Sequence, residues 1–190
     1  MEFPELYFER DVEWYNWLLH NHQSYKGVYL IFHKLEMQIP TMRWEEAVKV
    51  ALCFGWIDST VKSLGNGKRR QYFCPRNPKG VWSALNKKYV KELIDAGLIH
   101  ETGYKVIETA KKNGMWTFMD EVEKGIIPED LQKAFDNNDL AYKNYRNFSS
   151  GYRKSYLSWL KMAKRDETRQ KRIAEIIEYC RTNSKNRGGY

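Results

Sequence analysis

Apolar positions recur at helical spacing along most of this chain and at strand spacing along a short part of it. From Asp11 to His20, Val12, Tyr15 and Leu19 form one stripe, widened by Trp14, Trp17 and Leu18. That predicts a helix buried on a broad face, with Asp11 as its N-cap. GVYLIFHKLE, starting at Gly27, is β-branched and aromatic and reads as a strand. After the break at Ile39-Pro40-Thr41, residues Trp44, Ala47, Val48, Ala51 and Leu52 follow i, i+3, i+4, i+7, i+8. Gly55 stands where a helix C′ residue belongs.

Two further strands are expected at Trp56–Leu64 and Lys68–Pro75, joined through Gly65-Asn66-Gly67. Asn-Gly between β-prone runs signals a type I′ hairpin, which needs positive φ at both centres. With Asn66 and Gly67 as the loop, Val61 faces Tyr72, Thr60 faces Phe73 and Asp58 faces Pro75. Trp56, Asp58, Thr60 and Phe73 then share one face, and Ile57, Val61, Tyr72 and Cys74 the other. Pro75 to Gly80 is a rigid loop, since its prolines continue neither ladder nor helix. It leads to a helix capped by Ser83, carrying Leu85, Tyr89 and Leu93, and closed by Gly97. The rest reads as helices.

The expected class is α+β: a small antiparallel sheet of about three strands (with a 56–64/68–75 hairpin) packed among helices, then an all-helical C-terminal half. A length of 190 residues suits a single domain, with an α+β part at 1–98, a helical part at 99–182 and a frayed tail at 183–190.

Charge adds a second pattern. From Ser59 to Lys91 there are nine Lys and Arg and no acid; from Glu92 to Asp139, eleven acids against five lysines; from Tyr152 onward, eleven Lys and Arg against four acids. These blocks suit a polyanion partner or pairing with one another. The three cysteines, Cys53, Cys74 and Cys180, have no CxxC spacing, and the four histidines are scattered, so neither a disulfide framework nor a metal site is expected, and no cofactor. The N-terminal segment is acidic and lacks an apolar core, and no long apolar run appears, so the expectation is a cytoplasmic protein without a membrane span.

The stretches ALCFGWIDS, RRQYFCPRNPKGVWSALNKKYVKELIDAG and TGYKVIETAKKNGMW resemble the YdeI/OmpD-associated family, also labelled bacteriocin-protection proteins (OmdA). Phe148 to Arg153 and then YLSWLKMAKRDETRQKRI look like that family's closing motif, so the resemblance covers nearly the whole chain. It implies no reaction, cofactor or catalytic residue to carry over. The family's name suggests stress or antimicrobial-peptide protection.

Four groups of residues merit testing as sites. Asp58, in an apolar strand, needs a partner from Arg70, Arg76 or Lys62; it is a ligand anchor or general base, or half of a structural Asp–Arg pair. Arg76, Lys79, Gly80 and Ser83 precede a helix and make either an anion site or a rigid loop with an ordinary cap. Trp56, Tyr72, Phe73 and Trp82 line a pocket or form core. Lys161, Lys164, Arg165, Arg169, Lys171 and Arg172 form a basic cluster that binds nucleic acid or another polyanion, or is a solvated or paired face. The favoured function is a non-enzymatic binder of a small anion at Trp56, Asp58, Arg70, Arg76, Lys79, Gly80, Trp82 and Ser83. The alternatives are polyanion binding by the C-terminal helices, and an enzyme using Asp58 and Arg76.

Overall fold

The computed structural model describes residues 3–185. The chain divides into two compact units, Met1–Phe118 and Met119–Tyr190. The boundary placed at 98/99 from sequence therefore falls inside the first unit.

The first unit runs β1 (Glu5–Tyr7), α1 (Asp11–Asn21), β2 (Val28–His33), a single 3₁₀ turn at Leu35–Met37, α2 (Trp44–Cys53), β3 (Trp56–Gly65), β4 (Lys68–Pro75), α3 (Ala84–Asp95) and α4 (Glu101–Lys112). The α+β class is as expected. The sheet has four strands rather than three, in the order β1-β2-β4-β3, and it is mixed, because β1 pairs parallel with β2. Three residues are too few for the alternation that reveals a strand.

The hairpin turn forms at Asn66 and Gly67, both at positive φ (46° and 68°), as a type I′ loop requires. Its register holds only beside the turn, where Gly65 pairs with Lys68. Irregularities between Ser63 and Gly65, and between Asp58 and Val61, shift the pairing. Val61 comes opposite Gln71, Asp58 opposite Phe73 and Trp56 opposite Pro75. Each β-bulge puts an extra residue into one strand. Trp56, Asp58 and Phe73 still share a face, but Val61 joins them instead of Tyr72 and Cys74.

That face is the core face. Trp14 of α1 meets Trp56 and Phe73 edge-on, with centroids 6.2 and 5.8 Å apart, and its Nε1 donates to the Ala47 carbonyl of α2 at 3.2 Å. Trp56 donates through Nε1 to the His22 carbonyl at 3.2 Å. Both indoles are buried with their polar atoms satisfied. Helix α4 approaches α2 closely, with the His100 N–H on the Cys53 carbonyl at 2.9 Å.

The second unit is helical: α5 (Asp120–Glu123), α6 (Glu129–Asp136), α7 (Asp139–Asn147), α8 (Ser150–Lys161) and α9 (Asp166–Arg181). Leu131, Phe135, Ala141, Tyr145, Leu160 and Ile176 form its core. Asn183 and Ser184 close α9: the Asn183 N–H reaches the Cys180 carbonyl at 3.0 Å and the Ser184 N–H the Tyr179 carbonyl at 2.7 Å, with Asn183 left-handed. Residues 186–190 of the tail expected to fray lie outside the described residues. None of the described helices is long and apolar enough to cross a membrane.

Candidate functional site

The residues singled out from sequence do not converge on one cleft. Asp58 points its Oδ2 at two donors on neighbouring elements, Trp44 Nε1 of α2 at 2.9 Å and Gln71 Nε2 of β4. No ion pair joins it to Arg70, Arg76 or Lys62 among the described residues. The structural Asp–Arg pair weighed from sequence is thus not formed; an indole and an amide take its place. Arg70 lies on the opposite face, paired with Glu5 and stacked over the Tyr29 ring at 4.3 Å. Trp56 and Phe73 are core.

Arg76 and Trp82 do come together. The guanidinium stacks on the Trp82 ring at 3.6 Å, and Nη2 donates to the Val81 carbonyl at 2.9 Å. Ser83 caps α3, accepting the Asn86 N–H at 3.2 Å. Lys79 and Gly80 spend their N–H groups on Asn77, at 2.9 Å on its Oδ1 and 2.8 Å on its carbonyl. Those amides close the loop on itself and do not point at a ligand.

A larger concavity of this unit lies elsewhere, between the distal half of the β3–β4 hairpin, the 34–43 segment and the start of α2. It measures about 720 Å³. Lys34, Arg43, Lys68 and Arg69 line it, and its one acid, Glu36, is paired with Lys34 at 3.3 Å. Phe32, Met42, Trp44 and Val61 supply apolar surface. Arg69 lies over the Phe32 ring at 5.3 Å. Asp58 does not line it but accepts the hydrogen bond of the Trp44 indole, which does. Lys68 and Arg69 belong to the acid-free run visible in the sequence, whereas Lys34 and Arg43 flank the Ile39-Pro40 break and gave no periodic signal.

In the second unit the basic cluster is mostly committed. Lys161 pairs with Glu121, Arg169 with both oxygens of Asp130 (Nη2 to Oδ1 2.9 Å), and Lys171 with Glu175 at 3.9 Å. Arg172 donates to the Trp159 carbonyl and lies 5.0 Å from the Trp159 ring. Lys164 and Arg165 are exposed. The Arg169 hydrogen bond holds the Asp130 carboxyl below its ordinary range.

Burial pushes the thiols of Cys53 and Cys180 up to about 11 and about 12, which marks both as inert core groups. Among the described residues no group of three or more His, Cys, Asp or Glu is placed to hold a metal ion.

Residues 6–106 match the model of a domain of unknown function (DUF8412), and residues 124–183 match that of the bacteriocin-protection, YdeI or OmpD-associated family. No curated protein and no solved structure matches the chain. The GWID hairpin and the 75–80 loop fall in the first match, and the closing motif at Phe148 to Ile173 in the second. The chain belongs to the family of that domain of unknown function, and its C-terminal helices are similar to the YdeI/OmpD-associated, bacteriocin-protection family.

Proposed function

We propose that the protein is a non-catalytic binder of a small organic anion, and that the ligand sits in the cleft between the β3–β4 hairpin and the 34–43 segment. One observation carries this reading: four cations, Lys34, Arg43, Lys68 and Arg69, line a cleft of about 720 Å³ together with the apolar side chains of Phe32, Met42, Trp44 and Val61. A cleft of roughly 300–1,000 Å³ suits a drug-sized molecule, and apolar walls with a few placed charges fix its orientation. The chemistry that fits is an acid with an apolar body, a carboxylate or sulfonate on an alkyl or aryl group. Clustered cations also raise the local concentration of such anions.

A nucleic-acid reading for the C-terminal basic cluster has less support, because Lys161, Arg169 and Lys171 are paired with acids of their own unit. The matched family's description names bacteriocin protection. For this chain the same reading has any such role act through an anionic ligand, since a cleft of this charge repels cationic peptides.

Titration with decanoate, followed by tryptophan fluorescence, tests the proposal beside its cationic counterpart decyltrimethylammonium. Decanoate is expected to bind saturably and to perturb Trp44, the cation is not, and Lys68→Gln/Arg69→Gln should weaken decanoate at least about tenfold. Equal binding of the two amphiphiles, or none by decanoate, overturns it.

A further inference from the structure

The helical unit has a pocket of its own, open to solvent and about 250 Å³ in volume, where the end of α5, one face of α7 and the start of α8 meet. Helical spacing builds its walls. Tyr142, Tyr145 and Arg146 stand at i, i+3 and i+4 on α7, and Ser150, Arg153 and Lys154 at the same offsets on α8. Lys124 and Gly125 form a third side just past α5, where Gly125 turns the chain at a φ of 72°.

Four cations thus line one small space. Its one acid, Glu123, is held by Lys154 at 2.9 Å. No carboxylate pairs with Lys124, Arg146 or Arg153 among the described residues. Elsewhere in this unit Lys133, Lys161, Arg169 and Arg181 each have an acid. Like charges gathered round one space repel one another, and an anion among them turns that repulsion into attraction.

The lining groups name the anion's chemistry. Two guanidiniums offer planar forks that match the oxygens of a phosphate, and the lysines add point charge. Burial pushes the Tyr145 hydroxyl up to about 12, against the pull of Arg153, so this wall stays uncharged at neutral pH and does not repel an anion. Ser150 opens α8, so the wall that it supplies is also the positive end of that helix's dipole. The volume lies below the roughly 300–1,000 Å³ of a pocket for a drug-sized ligand. A compact, highly charged anion suits it, in contrast to the amphiphile assigned to the cleft of the sheet-containing unit.

We propose that this pocket is a phosphate site, taking the dianion free or as the terminal group of a small polar ester, with Arg146 and Arg153 as its principal donors. It shares no residue with the cleft between the hairpin and the 34–43 segment, so either proposal stands or fails without the other.

Calorimetric titration of the whole chain with inorganic phosphate and with glycerol 3-phosphate, at constant ionic strength in chloride, tests it. Saturable binding is expected. The ester binding as tightly as phosphate identifies an esterified ligand, and phosphate binding alone identifies the free ion. Arg146→Gln/Arg153→Gln should weaken binding at least about tenfold. Lys112→Gln/Lys143→Gln, which takes the same charge from exposed positions outside the pocket, should leave it within about twofold. No binding of either probe, or equal weakening by the two double variants, overturns the site, because net charge alone would produce the second result. Should Arg153→Gln disturb folding, Arg146→Gln alone, at an exposed position, decides the matter. Binding at least about threefold weaker sustains the proposal, and unchanged affinity ends it.

Discussion

Asp58 holds two elements to the core face at a single carboxylate oxygen, accepting Trp44 Nε1 from α2 and Gln71 Nε2 from β4. Gln71 is 2% exposed, so neither water nor another side chain readily replaces that acceptor. Asp58→Ala is expected to lower stability by about 2–4 kcal/mol, since two donors lose their partner at once, and Asp58→Asn by about 1 kcal/mol, since only charge assistance is lost. Urea unfolding checks both, and a red-shifted Trp44 emission in Asp58→Ala should accompany the loss. An Asp58→Ala protein as stable as wild type would sink this account. The need for a partner was legible in the sequence, because a carboxylate in an apolar strand cannot stand alone. Its identity was not: Trp44 lies on another element, and two bulges bring Phe73 rather than Pro75 opposite Asp58. Arg70 and Arg76, the expected partners, find aromatic rings instead.

Among elements, two helical glycines separate packing from propensity. At Gly103 in α4, a Cβ would stand 2.3 Å from the Cys53 carbonyl oxygen, a backbone atom that cannot swing aside. At Gly151 in α8, the nearest atom to a Cβ is Ser149 Oγ at 3.9 Å. Alanine favours a helix over glycine by roughly 1 kcal/mol where nothing else intervenes. Gly151→Ala should therefore stabilise by about 0.5–1 kcal/mol, whereas Gly103→Ala should destabilise by about 2 kcal/mol or more despite its better propensity. Paired thermal melts give the signs, and equal signs would refute the close α4–α2 approach. Helix content was readable because the apolar stripes are long, and Ser83 caps α3 as its position suggests. At α1 the expected cap Asp11 is instead the first helical residue. Strand β1 and the bulges escaped because each spans three residues or fewer, below the length at which a period can be recognised.

Over the whole molecule, the blocks of charge resolve differently in the two units. In the helical unit the acids Glu121, Glu123 and Asp130 pair with Lys161, Lys154 and Arg169, so acidic and basic blocks neutralise each other as the sequence allowed. In the sheet-containing unit, acids from outside the acid-free run pair with it: Glu5 with Arg70, Glu92 with Lys88 and Asp95 with Lys91. Lys68 and Arg69 face the cleft, a surplus the charge count forecasts without placing it. The Arg169 hydrogen bond lowers the Asp130 pKa in the folded unit, as does Lys161 for Glu121. A carboxyl whose folded pKa is depressed contributes stability above its unfolded pKa, near 4, and loses it as pH falls through the folded value. Asp130 is about one-third exposed, so solvent screening reduces its share to about 0.5–1 kcal/mol at pH 7. Asp130→Asn should thus be less stable than wild type by that amount at neutral pH, and the gap should close as pH falls through the lowered folded pKa. Urea midpoints of the two proteins across pH 7 to 2.5, followed by far-UV circular dichroism, measure it; a gap that stays constant would mean that Asp130 acts through packing and not through its charge.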